Sequence, residues 1–175
     1  MDKNTIRKWA REKRATIQNR ELKESMIHKK AESYIDKASF IALYHSFQDE
    51  VDTLKLIQMI LDKKKRVVCP VIENDTMIFR EVFSMEDFQV GHFGVMEPKG
   101  KNTVNPKQID LVFIPMLAFN DSMYRVGYGK GYYDRFLIKT KAKRVGLAFE
   151  AQYINVQFED EYDVACSVIL TEERG

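Results

Sequence analysis

The chain has 175 residues, a length that suits one domain with a single core. Hydrophobic residues make up 45% and charged residues 31%, with a formal net charge of +2; this ordinary globular balance argues against a dense basic face for coating nucleic acid. No run approaches the ~20 apolar residues of a membrane span, Met1 to Arg14 lacks the apolar run of a signal peptide, and Cys69 and Cys166 sit singly in apolar runs without a CxxC pair, so a cytoplasmic location is expected.

Two amphipathic helices open the chain. Ile6, Ala10 and Ile17, with Trp9, recur near helical spacing. Asn19 is the expected N-cap of a second helix with an apolar stripe of Leu22, Met26, Ile27, Ala31, Tyr34 and Ile35. Phe40 to Tyr44 reads as a buried strand, Val51 to Lys64 as a helix and Val67 to Ile72 as a strand. Thr76 to Phe83 reads as a strand after an Asn74-Asp75 turn. Gly91 to Pro106 is rich in loop residues. Asp110 to Pro115 is a buried strand ended by proline, Tyr132 to Lys139 a helix, and Arg144 to Phe149 and Val164 to Leu170 are closing strands. Strands alternating with helices over residues 1–175 predict one α/β domain with a largely parallel sheet. In such a sheet, ligands bind beyond the carboxyl ends of the strands.

The most informative segment is Arg125-Val126-Gly127-Tyr128-Gly129-Lys130-Gly131-Tyr132-Tyr133-Asp134-Arg135. Its glycines permit positive φ and close approach of a ligand to the main chain, and successive N–H groups in such a turn attract anions. Arg125, Lys130 and Arg135 add cationic side chains, and Asp134 adds a hard oxygen of the kind Mg²⁺ prefers. The combination points to a nucleoside triphosphate with its metal. It is neither a Walker A loop nor the GxGxxG dinucleotide fingerprint, because the spacing is GxGxG.

Lys3, Arg7, Arg11 and Arg14 share one face of the first helix. This row is either a solvated face or, if the helix packs near the glycine loop, a source of Lys3 and Arg7 for phosphates. Tyr44 to Thr53 follows a buried strand, and Glu50 within it either meets a polar ligand or complements a helix N-terminus. Phe93 to Pro98 offers an aromatic beside glycine and proline, a wall for a flat ring or plain loop packing. Asp163, before the last strand, is either a second metal ligand or a solvated turn acid. His28, His45 and His92 are dispersed and make no metal triad by spacing.

Together these segments resemble the 5-formyltetrahydrofolate cyclo-ligase, or methenyltetrahydrofolate synthetase, family across nearly the whole chain. The resemblance rests on K-x-x-x-R (Lys3, Arg7), E-x-D-T (Glu50, Asp52, Thr53) and Phe93 to Pro98. It rests further on Asp110 to Phe119 with Arg125 to Arg135, and on E-x-D (Glu161, Asp163) leading to Ile169 to Glu172. The chain departs from the family pattern at Asn120, where Asp is frequent, at Met123 (Gly), at Phe93 (Trp) and at Tyr162 (His or Trp).

The resemblance implies a Rossmann-like sheet with helices packed on both faces. It implies an ATP- and Mg²⁺-dependent ligase that closes 5-formyltetrahydrofolate to 5,10-methenyltetrahydrofolate. ATP would be bound by Lys3, Arg7, Arg125, Gly127, Tyr128, Gly129, Lys130, Gly131, Tyr132 and Arg135. The folate would meet His45, Glu50, Phe93, Val95, Tyr132 and Tyr133, and Mg²⁺ would meet Asp134 and Asp163. Glu50, Arg125, Lys130 and Tyr133 would carry the catalysis. The expected partners are small molecules, with no nucleic acid and no membrane, and the chain is expected to be a monomer or weak homodimer. An ATP-dependent kinase or ligase with another acceptor, or a nucleotide-binding module without turnover, shares the phosphate loop but not the folate-side residues.

Overall fold

A computed structural model describes residues 1–175. Four helices, α1 (Lys3–Ala15), α2 (Arg20–Asp36), α3 (Leu54–Asp62) and α4 (Tyr132–Leu137), accompany ten strands. These are β1 (Phe40–Leu43), β2 (Arg66–Glu73), β3 (Thr76–Val82), β4 (Phe88–Val90), β5 (Met96–Pro98), β6 (Leu111–Ile114), β7 (Ala118–Phe119), β8 (Arg125–Val126), β9 (Lys143–Leu147) and β10 (Val168–Leu170). The main sheet runs β10-β9-β6-β1-β2-β3. All its neighbours are parallel except β2 and β3, which form a hairpin. Asn74 and Asp75, both at positive φ, close that hairpin, as a two-residue turn between twisted strands requires.

Taken in chain order, the parallel strands have the spatial order 2-1-3-4-5, a doubly wound arrangement whose switch point lies between β1 and β6. Residues just beyond the carboxyl ends of those two strands, from Tyr44 and from Pro115 onward, therefore border a natural crevice.

The strands alternate between two cores. Ile41, Leu43, Val67, Cys69, Leu111 and Phe113 face Ile27, Ala31 and Ile35 of α2 and Leu56, Ile57 and Ile60 of α3. Phe40, Ala42, Val68, Val112 and Ile114 face Phe136 and Leu137 of α4. Helices thus cover both faces, as expected, but α1 covers neither. Its Ile6 and Ala10 pack on Leu117, Ala118 and Val126, within and beside the small hairpin of β7 and β8.

Several boundaries differ from expectation. α1 stops at Ala15, and Ile17 packs beyond it against the α2–α3 core. Asn19 stands at the N-cap of α2 in left-handed conformation and makes no side-chain cap bond; its carbonyl accepts from the Lys23 N–H instead. Leu22 and Met26 remain 62% and 42% exposed, so the buried stripe of α2 is narrower than its apolar pattern. α3 begins at Leu54 because Asp52 caps it, its carboxylate accepting from the N–H groups of Leu54 and Lys55. The β4–β5 and β7–β8 hairpins are too short to leave a periodic signature. No helix is long and apolar enough to cross a membrane.

Candidate active site

Two cavities open at the switch point. One, of about 620 Å³, is bordered by α1, the glycine loop and residues 160–164. The other, of about 440 Å³, is bordered by residues 44–50, the 92–97 segment and the underside of α1. Pro115, Tyr128, Lys130, Tyr132 and Tyr133 line both and form their common wall.

Every residue expected to meet ATP or metal lines the first cavity, from Lys3 and Arg7 through Arg125, Gly127 to Gly131, Tyr132 and Arg135 to Asp134 and Asp163. Arg7 lies against the glycine loop. Its Nε donates to the Gly127 carbonyl at 2.8 Å, and a side chain on Gly129 would meet its guanidinium at 3.5 Å. Gly129 has φ +101°, a conformation that side chains disfavour; the backbone, not the ordinary contact with Arg7, calls for glycine there. Arg135 is held down, donating to the carbonyls of Lys130 and Asp75. Lys130 stays exposed on the common wall.

Arg125 differs from the exposed cation its position in the loop suggests. It belongs to β8, is 6% exposed and pairs with Asp134 at 3.2 Å. Its guanidinium lies 5.4 Å from the Tyr133 ring centroid. This pair holds Asp134 in place from within the protein.

The acids fit a hydrated Mg²⁺. Asp134 uses Oδ1 for both Arg125 and the Val164 N–H, which leaves Oδ2 free. Asp163 uses Oδ2 for Lys3 at 2.7 Å and for the Asp160 N–H, which leaves Oδ1 free. No three acidic, histidine or cysteine side chains form a metal cage; Mg²⁺ commonly relies on one or two carboxylates with water and substrate phosphates. Asp160, not anticipated from sequence, also accepts from Lys3 at 3.0 Å. These acids hold Lys3 charged, raising its pKa despite the opposing effect of burial.

His45, Glu50, Phe93, Val95, Tyr132 and Tyr133 all line the second cavity. Thr53, fully buried, pins the 44–53 loop by donating from Oγ1 to the Tyr44 carbonyl at 2.6 Å and accepting from the Ser46 N–H at 2.9 Å. The E-x-D-T stretch thereby divides its work: Thr53 folds the loop, Asp52 caps α3 and Glu50 is left to the cavity. Glu50 accepts from the Phe47 N–H at 2.8 Å and from the Tyr128 hydroxyl at 3.0 Å. Burial pushes its pKa up, partly offset by those bonds. Burial pushes that of His45 down, which favours the neutral imidazole. Phe93 is 67% exposed at φ +59°, a strained placement for an aromatic residue. Tyr133 is half-buried, and its hydroxyl oxygen is buried with no hydrogen-bond partner in the protein.

Sequence reasoning left Arg14 in a basic row without assigning it a task. The structure buries it, with Nε on Asp49 at 2.7 Å and a further donor on the Met116 carbonyl. Arg20 donates to the carbonyls of Asp49 and Arg14. The two arginines brace the loop that carries Glu50. Two of the departures also have a local account. Asn120 donates to the Val156 carbonyl and to Glu159 at 2.8 Å, where a carboxylate would face Glu159 with like charge. Met123 takes φ +62° in the β7–β8 turn, a conformation glycine adopts at lower cost.

A sequence model of the 5-formyltetrahydrofolate cyclo-ligase family matches residues 1–172. The 5-formyltetrahydrofolate cyclo-ligase of Mycoplasma pneumoniae is 30% identical over 181 residues, covering 99% of this chain and 100% of the relative. That of Haemophilus influenzae is 33% identical over 142 residues, covering 77% and 76%. The 5,10-methenyltetrahydrofolate synthetase of Aquifex aeolicus superposes with a TM-score of 0.88 at 32% identity, over 99% of this chain and 91% of that one. With fold, sequence and family match in agreement, the chain belongs to the 5-formyltetrahydrofolate cyclo-ligase family and is a ligase.

Proposed function

We propose that this enzyme converts 5-formyltetrahydrofolate and ATP to 5,10-methenyltetrahydrofolate, ADP and phosphate. The observation that carries the reading is the common wall of the two cavities. One cavity is cationic and glycine-lined; the other is aromatic and holds a carboxylate. Tyr128, Lys130, Tyr132 and Tyr133 stand between them. A reaction that joins a phosphoryl donor to a flat, polar acceptor needs this adjacency.

A formamide carbon is a poor electrophile, and its oxygen is a poor leaving group. Transfer of the terminal phosphoryl group of ATP to the formyl oxygen makes an imidate phosphate and releases ADP. N10 then attacks the formyl carbon and sheds its proton, and phosphate departs with the former formyl oxygen to leave the methenyl bridge. Lys3, Arg7 and the glycine-loop N–H groups hold the phosphates, and Lys130, on the shared wall, neutralises charge on the group in transit. Asp134 and Asp163 would hold Mg²⁺, whose contribution is to offset phosphate charge and orient the chain of phosphates. Glu50 accepts the N10 proton; its raised pKa brings the carboxylate closer to a base matched to neutral pH. Phe93, Val95 and His45 enclose the ring system.

The test is direct. The protein is mixed with 5-formyltetrahydrofolate and Mg-ATP, and the methenyl chromophore is followed alongside phosphate release. Equal amounts of both products are expected. ATP binding without methenyl formation would overturn the reading in favour of another acceptor.

A further inference from the structure

The second cavity holds a second carboxylate besides the half-buried Glu50. Glu97, on β5, lines this cavity but not the first and is 8% exposed. Its Oε2 accepts from the Ile72 N–H at 2.9 Å and lies 3.5 Å from His92 Nδ1. Its Oε1 makes no hydrogen bond within the protein, yet it is not sealed from solvent as the unpartnered buried atoms are. The chain also makes room for this group. Any side chain on Gly91 would overlap the Glu97 carboxylate, and the 91–95 loop closes beside it through the Gly91 N–H to Val95 carbonyl bond.

The two carboxylates have different neighbours. Glu50 bonds Tyr128, a residue of the common wall, and so belongs to the end where phosphoryl transfer is proposed. Glu97 is held by β2 and the 91–95 loop and bonds no residue of the common wall. A reduced pterin lying with N5 and N10 toward the common wall presents its opposite edge toward Glu97. That edge carries N3–H and the 2-amino group side by side, a two-donor fork like that of a guanidinium. A carboxylate is the matching two-acceptor group.

We propose that Glu97 is a specificity residue that reads the N3–H and 2-amino edge of the pterin ring, an inference that rests on the folate reading above. No bond to substrate is made or broken by it. It sets the ring's orientation and discriminates 2-amino-4-oxo pterins from ring systems lacking that pair of donors. Glutamine in its place keeps an acceptor for the Ile72 N–H but turns one acceptor into a donor that opposes the ligand's own.

The experiment measures binding of 5-formyltetrahydrofolate and of its 2-deamino analogue to wild type and to Glu97→Gln, with ATP affinity as a control. For wild type, loss of the 2-amino group is expected to weaken binding about 10- to 100-fold, the range for hydrogen bonds to a charged partner. Glu97→Gln should weaken the parent compound by a similar factor, change the deamino analogue far less, and leave ATP affinity unchanged. A purely structural role would weaken both compounds alike and would overturn the proposal, as would equal binding of the two compounds by wild type. The second comparison needs no variant to fold. If wild type binds neither compound, the folate reading and this inference fall together. If wild type binds and converts the parent while Glu97→Gln matches it, only the role of Glu97 falls.

Discussion

Glu50 shows how one side chain can serve the site at the expense of the fold. Burial raises its pKa above the ordinary carboxyl value of 4.5, so the folded state holds the proton more tightly than the unfolded chain. Stability therefore falls as pH rises from the ordinary value through the raised one, and the ionised carboxylate is a standing cost above that window. Glu50→Gln removes the charge and keeps an acceptor for the Phe47 N–H. The variant should melt above wild type at neutral pH, with each ~1 kcal/mol recovered appearing as ~2–4 °C in Tm. The gap should close as pH falls below the ordinary carboxyl range. Turnover should drop about 10²-fold or more, the usual loss for a removed general base, with ATP affinity retained. Thermal melts across pH and steady-state assays check both halves; a variant that melts no higher at neutral pH would contradict the assigned cost of the charge.

At the scale of elements, α1 is an arm of the active site more than a layer of the fold. It brings Lys3 and Arg7 to one cavity and Arg11 and Arg14 to the other, yet it is seated on the β7–β8 hairpin through a small core of its own. Ile6→Ala should remove about 2–5 kcal/mol of that seating. Because α1 can loosen locally while the main sheet stays folded, the expected result is faster amide exchange confined to α1. The KM for ATP should rise about 10-fold, with little change in exchange of β1 or β6. Exchange measured by mass spectrometry checks this; uniform loss of protection across the sheet would show α1 to be part of the global core. The glycine loop, the basic row and the strands of the sheet were legible in sequence because each has a short-range signature: spacing, turn chemistry or a continuous apolar run. The seating of α1 on β7–β8, the Tyr128–Glu50 bond, the Arg14–Asp49 pair and the open face of Glu97 were not. Each joins residues far apart in the chain or depends on which side of a short strand a carboxylate lies, and neither is encoded in local periodicity.

For the molecule as a whole, the common wall makes the two cavities mechanically one. Tyr128 belongs to the glycine loop and also donates to Glu50, so under the proposed function a loop ordered around phosphates would order Glu50 beside the folate. A non-hydrolysable ATP analogue should tighten folate binding, and folate should tighten the analogue by the same factor, in the ~5- to 150-fold range typical of coupled sites. Tyr128→Phe keeps the ring and deletes the bond, and the factor should shrink toward one. Calorimetric titrations in both orders check this; undiminished coupling in the variant would place the connection elsewhere on the wall. The ion pair from Lys3 to Asp163 spans 160 positions of sequence, and that separation has a consequence for biosynthesis. A ribosome completes α1 long before the turn that receives its lysine. Through most of translation the helix has no seat and the glycine-lined cavity has only one side. If ATP binds there as proposed, it cannot stabilise a partly made chain, and the α2–α3 side of the sheet must fold on its own packing before nucleotide can contribute.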